Sequence, residues 1–112
     1  MENRGGATIN RESIEEFKSW LRAEERSEGT IVKYMRDLTR FSDWMYDRHI
    51  NREMLIEYKE HLTQHGFEAV TVNSMLAAIN TYFRYIGLNI RLKYLRIQRR
   101  LFREENRELQ KN

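Results

Sequence analysis

The length of 112 residues and a composition that is 40% hydrophobic and 33% charged indicate one globular domain, and they argue against a disordered or membrane-spanning chain. The absence of cysteine excludes disulfides and thiolate zinc sites, and the first ten residues lack the apolar stretch of a signal peptide. We therefore expect a cytoplasmic protein without a membrane partner.

The first half of the chain contains two amphipathic segments. After a flexible leader over residues 1–9, we predict a first helix from about Asn10, as its N-cap, to about Arg26. The Ser27 to Thr30 break introduces a second helix that lasts to about Arg48. The apolar residues at helical spacing on these two helices are Ile14, Phe17, Trp20, Leu21, Ile31, Tyr34, Leu38, Phe41 and Met45.

The second half repeats this arrangement. Asn51 is predicted to cap a third helix that ends at His65-Gly66, and a fourth helix runs from about Ala69 to Gly87. Their inward residues are Met54, Leu55, Tyr58, Leu62, Val72, Leu76, Ile79, Phe83 and Ile86. Short connections between four such helices favour an all-α fold, a compact four-helix bundle over residues 10–87.

The segment after the bundle is basic. Residues 1–87 hold 12 basic and 14 acidic groups, whereas residues 88–112 hold 8 basic and 3 acidic groups. No acidic residue occurs between Ala69 and Arg103, so a polyanion would meet no repulsion there. The alternation from Leu88 to Arg100 is imperfect and fits either a strand or an extended connector, and we assign residues 88–112 to a basic C-terminal connector.

Enzymatic interpretations find little support in the sequence. His61 and His65 are four residues apart, but no glutamate stands between them as in a zinc-protease helix, so we expect surface histidines, as for His49. There is no phosphate-binding loop, nucleophile elbow or dinucleotide fingerprint. We therefore expect no catalytic site, no metal and no cofactor in this chain.

A DNA-binding interpretation asks only for a basic surface and small polar residues near helix N-termini. The second helix opens with Thr30 and Val32 and presents Lys33, Arg36 and Arg40, with Asp37 in partial opposition. The fourth helix opens with Thr71, Asn73 and Ser74, and its one charged residue is Arg84. The connector adds Arg91, Lys93, Arg96, Arg99 and Arg100.

Each of these features has a structural alternative. Thr30 and Thr71 are equally well explained as N-caps, and the cations of the second helix as an ordinary solvated face. The connector arginines would also solubilise an apolar segment. The aromatic residues are better explained as core than as platforms for base stacking: Tyr34, Phe41, Trp44, Tyr58 and Phe83.

Together these motifs resemble a known family. Three parts of the first half are similar to the N-terminal core-binding domain of tyrosine recombinases and phage integrases. They are the run from Phe17 to Leu21, the run from Ser27 to Leu38 with its Thr-x-x-x-Tyr-x-x-x-Leu pattern, and the following Phe41 and Trp44. The run from Thr71 to Ile86 resembles the fourth helix of that domain. The segment from Leu95 to Arg100 resembles the linker into the catalytic domain.

The resemblance implies a SAM-like bundle that forms half of a C-shaped clamp around a recombination core site in double-stranded DNA. Its second and fourth helices would face the major groove and its connector would follow the backbone, so the expected DNA contacts are Thr30, Val32, Lys33, Arg36, Thr71, Asn73, Ser74, Arg84, Arg91, Lys93, Arg96, Arg99 and Arg100. Its partners would be the catalytic domain of the parent protein and other recombinase protomers.

In the family, the catalytic arginines and the tyrosine nucleophile lie in a separate domain, and we expect this chain to lack that domain. Either an excised domain or a natural remnant fits this expectation. A helical protein-interaction module without DNA binding is the alternative, supported by the acidic first helix. It predicts a contiguous exposed apolar patch, whereas DNA binding predicts Thr30, Lys33, Thr71 and Ser74 on one positive face.

Overall fold

A computed structural model describes residues 8–46 and 48–97, and in those ranges the chain forms four α-helices and no strand. The helices are α1 (Arg11–Ala23), α2 (Glu28–Met45), α3 (Arg52–Gln64) and α4 (Ala69–Ile86). Helix α2 packs against α1 and α4, and α3 packs against α4. The predicted all-α four-helix bundle is confirmed, and α2 and α4 each pack against two other helices.

Local capping explains where several helices begin and end. The Asn10 side chain accepts a hydrogen bond from the Ser13 N–H at 2.8 Å while the Asn10 N–H donates to Ser13 Oγ at 3.0 Å, a reciprocal capping box. Asn51 accepts from the Met54 N–H at 2.9 Å. Gly87 adopts the left-handed conformation, with φ of 78°, that closes α4. The predictions for these three positions are confirmed.

Two helices end earlier than predicted. Helix α1 stops at Ala23 because Glu25 is left-handed, with φ of 63°, which allows the Arg26 N–H to bond the Leu21 carbonyl at 3.1 Å. Helix α2 stops at Met45. The Arg48 guanidinium, which the prediction placed at the end of the helix, instead donates to the last carbonyls of α2.

The apolar stripes of the four helices meet in one core. Its fully buried side chains include Phe17, Leu38, Phe41, Val72 and Ile79, and truncation of such a phenylalanine to alanine typically costs about 3–5 kcal/mol. Three of the five aromatic residues assigned to the core are buried, and Tyr34 and Trp44 pack against it in part. Ile86, predicted to point inward, is exposed because α4 ends there.

The segments flanking the helices also contribute to the core. Ile9, which the prediction placed in the flexible leader, is buried, and its carbonyl accepts a hydrogen bond from Ser42 Oγ. Residues 88–97 are neither strand nor helix, and Leu92 in their middle is buried. They form an extended connector that packs on the bundle. The rest of the predicted connector, and residues 1–7 of the leader, lie outside the described residues.

Candidate nucleic-acid interface

A groove of about 340 Å³ lies between α2 and the first turns of α4. Four of the expected DNA contacts line it together, Lys33 and Arg36 from α2 and Thr71 and Ser74 from α4. Thr30 and Val32 belong to the same end of α2 but do not line the groove. The fold thus unites residues about 40 positions apart in the chain on one basic surface.

Lys33 is held by its neighbours within this groove. Its Nζ makes an ion pair with the Asp37 carboxylate, one helical turn away, and donates to the Ser74 carbonyl on α4 at 2.8 Å. The Asp37 side chain is almost fully buried, so removal of its partner would leave a desolvated charge. Lys33 therefore joins α2 to α4, and its charge is balanced inside the protein.

Arg36 and Arg40 are the exposed cations of the groove. Both lie on the solvent side of α2, one turn apart, and no ion pair involves either of them within the described ranges. The Arg40 guanidinium lies 5.3 Å from the centroid of the Phe67 ring, which limits where that side chain can point. With Lys33 balanced by Asp37, these two arginines give the groove its net positive charge.

Neither Thr30 nor Thr71 is an N-cap, so that alternative is wrong for both. Ser27 caps α2 and accepts from the Thr30 N–H at 3.2 Å, and its hydroxyl donates to Thr30 Oγ1 at 3.0 Å. Glu68 stands at the cap position of α4 without a side-chain hydrogen bond to the helix. Thr71 is exposed on the first turn of α4 and lines the groove.

Exposed valines accompany these polar groups. Val32 is 53% exposed and Val70 is 61% exposed, although both stand in helices with a well-filled apolar stripe. Val70 lines the groove beside Thr71 and was not among the predicted contacts. The signal that could have found it is an apolar residue off the stripe of α4, next to the polar residues of its first turn.

Asn73 was predicted to contact DNA, but its side chain is engaged elsewhere. Its amide nitrogen donates to the Leu95 carbonyl at 2.9 Å, and its amide oxygen accepts from the Leu95 N–H at 2.6 Å. Both hydrogen-bonding ends of the amide are therefore taken by the connector. Asn80, two turns further along α4, makes the same pair of hydrogen bonds with Leu92, at 3.0 and 2.8 Å.

The connector carries its cations on the outside. Arg91, Lys93 and Arg96 are all exposed, and the Arg91 guanidinium lies 6.0 Å from the centroid of the Tyr94 ring. Arg84 is exposed in the last turn of α4, thirteen residues or about 20 Å along the helix from Thr71, so it does not belong to the groove. Arg99 and Arg100 lie outside the described residues.

Helix α3 adds two cations that the sequence analysis missed. Arg52 and Lys59 line a second groove, of about 180 Å³, together with Arg91 and Lys93 of the connector. Lys59 Nζ also donates to the Lys93 carbonyl at 2.7 Å. Because α3 also contains glutamates, a count of charges along the sequence does not reveal this basic edge.

The histidines form a pair at the end of α3. The ring centroids of His61 and His65 are 4.1 Å apart, and His65 Nδ1 lies 3.0 Å from the His61 carbonyl oxygen. Partial burial, the adjacent His65 and then Arg40 lower the pKa of His61 below its ordinary value. Among the described residues there is no group of three or more side chains able to hold a metal ion.

The alternative of an interaction module predicts a continuous apolar patch. The large apolar side chains that are exposed come from separate segments of the described chain: Val32, Tyr46, Ile56, Val70, Ile86 and Tyr94. A further groove, of about 760 Å³ beside the start of α1 and the end of α2, is lined by charges of both signs. In the part of the chain that the structure describes, no helix has the length and apolar character needed to cross a bilayer.

Comparison with protein families agrees with this architecture. Residues 14–87, from the first turn of α1 to the end of α4, match the family described as the phage integrase N-terminal SAM-like domain. The match ends at Gly87, where the bundle gives way to the connector.

Two curated relatives extend the similarity into the connector. Both are named tyrosine recombinase XerA, one from Thermococcus kodakarensis with 32% identity over 100 residues, the other from Pyrococcus furiosus with 28% identity over 89 residues. The alignments cover 87% and 80% of this chain but only 35% and 30% of the relatives, so the chain spans about a third of their length. No solved structure matches the chain significantly.

Proposed function

This chain belongs to the phage integrase N-terminal SAM-like domain family, and from that premise we propose that it is the DNA-binding domain of a site-specific tyrosine recombinase. It would bind the core site during DNA integration and recombination in the cytoplasm. Strand cleavage and rejoining would be performed by a catalytic domain of the same parent protein, with other protomers bound to the same DNA. No cofactor is needed for this role.

The observation that carries the proposal is the groove between α2 and α4. Exposed guanidinium groups of Arg36 and Arg40 stand beside the hydroxyl groups of Thr71 and Ser74, which is the combination that phosphate contact and base contact require. No acidic residue lies on α4 or on the described connector. A polyanion approaching α4 would therefore meet positive charge on both flanks.

The dimensions of α4 fit the proposed contact. A helix with its side chains is about 10–12 Å wide, close to the roughly 12 Å width of the major groove of B-DNA. With the first turns of α4 in that groove, Arg36 and Arg40 would meet the phosphates of one strand, and Arg91, Lys93 and Arg96 those of the other. Thr71, Ser74 and the Val70 methyl groups would face the base edges.

The residue set of this proposal differs from the one expected from the sequence. Lys33 and Asn73 act inside the protein in this scheme, because their polar groups already bond Asp37, Ser74 and Leu95. Thr30, Val32 and Arg84 remain proposed peripheral contacts, and Arg99 and Arg100 remain proposed contacts of the connector. Arg40 and Val70 join the set as lining residues of the groove.

Fluorescence anisotropy of a labelled DNA duplex tests the proposal. Binding is measured between about 50 and 200 mM salt, the range over which phosphate contacts respond. We expect log Kd to change with log salt with a slope of magnitude about 4–7, because the five central cations, and Arg84, Arg99 and Arg100 where they reach the backbone, would each displace counterions. Arg36→Ala with Arg40→Ala should reduce that slope by about two. Arg22→Ala, at an exposed cation of α1, is the matched control and should leave it unchanged.

Absence of binding at the lowest salt, or binding without a salt slope, would refute the proposal. That result would favour the helical interaction module instead. Its candidate surface is the 760 Å³ groove beside the exposed Tyr46.

A further inference from the structure

Two asparagines on α4 bond the backbone of the connector in the same way. Asn80 pairs with the N–H and carbonyl of Leu92, and Asn73 pairs with the N–H and carbonyl of Leu95. Each amide donates one hydrogen bond and accepts another, as a neighbouring β-strand would. Side chains of a helix thus bond the connector backbone in the way that the backbone of a neighbouring strand does in a sheet.

The spacings of the two partners agree. Seven residues along a helix span about 10.5 Å, and three residues of extended chain span about 10 Å, so Asn73 and Asn80 are as far apart as Leu92 and Leu95. Because the later connector residue pairs with the earlier helix residue, the connector runs antiparallel to α4. Lys59 of α3 adds a third tether, to the Lys93 carbonyl that lies between the two pairs.

The connector is also anchored by burial. Leu92 is 5% exposed, and Leu88, Ile90 and Leu95 pack against the core in part. Asn80 itself is 7% exposed, so its amide would be left without partners in a dry environment if the connector came away. Loss of the connector would therefore expose apolar surface and leave a buried polar group unsatisfied at once.

We propose that Asn73 and Asn80 are positioning residues that dock residues 88–97 onto α4 and bring the end of this segment back to the N-terminal half of that helix. The chain leaves α4 at Gly87, reverses, and is returned by this asparagine pair to the level of Asn73. Residues 95–97 would then be held at the second turn of α4, with Arg96 exposed on the flank of that helix.

The docking does not depend on DNA binding. Only the effect of the asparagine pair on DNA affinity rests on the proposed function. Structural and DNA measurements therefore test the two ideas separately.

Amide hydrogen exchange of the full chain, followed by NMR, tests the docking directly. We expect protected amides at Leu92 and Leu95, with Asn80→Ala accelerating exchange at Leu92 and Asn73→Ala at Leu95 by roughly tenfold, as loss of a hydrogen-bond pair predicts. Asn89→Ala, at an exposed asparagine of the connector, is the matched control. Exchange at Leu76 and Ile79 reports whether α4 itself remains folded.

This readout separates docking from a generic role in the helix. Alanine is a better helix former than asparagine, so a solvent-facing asparagine replaced by alanine would leave connector exchange unchanged and stabilise α4. Asn73→Asp keeps the acceptor for the Leu95 N–H but replaces the donor with a negative charge, and should release Leu95 in part. Should Asn80→Ala prevent folding, the less buried Asn73 carries the test alone.

A distance measurement gives an independent check, since the chain has no cysteine and accepts two spin labels cleanly. Labels at Val70→Cys and Arg96→Cys should give a short, narrow distance distribution that broadens in the Asn73→Ala chain. Unprotected Leu92 and Leu95 amides in the unaltered chain, or a distribution that is already broad, would overturn the docking. If the Leu92 and Leu95 amides are protected but the chain binds DNA weakly or not at all, only the proposed function is contradicted.

Discussion

Lys33 and Asp37 lie one turn apart on α2, and the Lys33 ammonium binds both the Asp37 carboxylate and the Ser74 carbonyl of α4. The most central cation of the basic groove is thereby committed to holding two helices together. The charge offered to an external anion comes from the arginines around it.

The first prediction follows from this commitment. The double variant Lys33→Met with Asp37→Leu removes both charges at once, so the salt slope of DNA binding should stay unchanged. The single variant Asp37→Leu leaves the ammonium without its carboxylate, so it should bind DNA more tightly, with a slope steeper by about one. Anisotropy titrations at several salt concentrations provide the measurement.

Thermal unfolding of the same variants supplies the control. Asp37→Leu should lower the free energy of unfolding because it strands a half-buried cation, whereas the double variant should recover much of that loss. If the double variant flattens the salt slope by about one, as loss of a single phosphate contact would, Lys33 contacts phosphate after all.

Thr71 should affect which DNA sequence the chain prefers, and it should not affect the affinity for duplex DNA of unrelated sequence. Thr71 is exposed on the first turn of α4, where the proposed base contacts lie. We expect Thr71→Ala to weaken binding to the specific site by about 1–3 kcal/mol, with unchanged binding to unrelated duplex and an unchanged salt slope. Thr39→Ala, at an exposed threonine of α2 that lines the 760 Å³ groove, should change neither affinity.

Two glycines should respond to alanine in opposite directions. Gly87 has φ of 78°, so Gly87→Ala forces a left-handed alanine and should lower stability by about 1 kcal/mol. Gly29 lies in the first turn of α2, where an added Cβ would meet nothing within 4 Å, so Gly29→Ala should raise stability by about 0.5–1 kcal/mol. Each kcal/mol should appear as a shift of about 4–8 °C in Tm. Equal effects at the two sites would contradict this account.

Acidification should destabilise the bundle through His61. Its folded pKa lies below the ordinary value of 6.5, chiefly through burial and then through His65 and Arg40. As pH falls through 6.5 the unfolded chain takes up a proton that the folded chain resists, so stability is present above this pH and declines below it. We expect a lower Tm at about pH 5.5 than at about pH 7.5, and His61→Gln should diminish the difference. His49→Gln, at an exposed histidine, should not.

The bundle was predictable from the sequence because its signals are local. Asn10, Asn51 and Gly87 each act within one helical turn, and the apolar stripe of each helix is visible at steps of three and four residues. The end of α1 was missed because Glu25 adopts the left-handed conformation that is usual for glycine and asparagine.

The candidate interface was predictable only in part, because its details depend on contacts between distant segments. The spacing of four residues already indicated that Lys33 lies close to Asp37. The hydrogen bond from Lys33 to Ser74 was not predictable, because it forms only when α2 packs against α4. Asn73 has the same chemistry whether it meets a base or a backbone amide. Only the return of the connector along α4 decides between them.

The docking of the connector restricts the number of residues between Leu92 and Leu95 more strongly than it restricts their identity. Substitutions at Lys93 or Tyr94 would leave the backbone groups that Asn73 and Asn80 bind in place. One residue inserted between Leu92 and Leu95 would lengthen the extended path by about 3.4 Å while the helix keeps its pitch, so the two pairs could no longer form together. This short stretch should therefore accept varied side chains but no insertion or deletion.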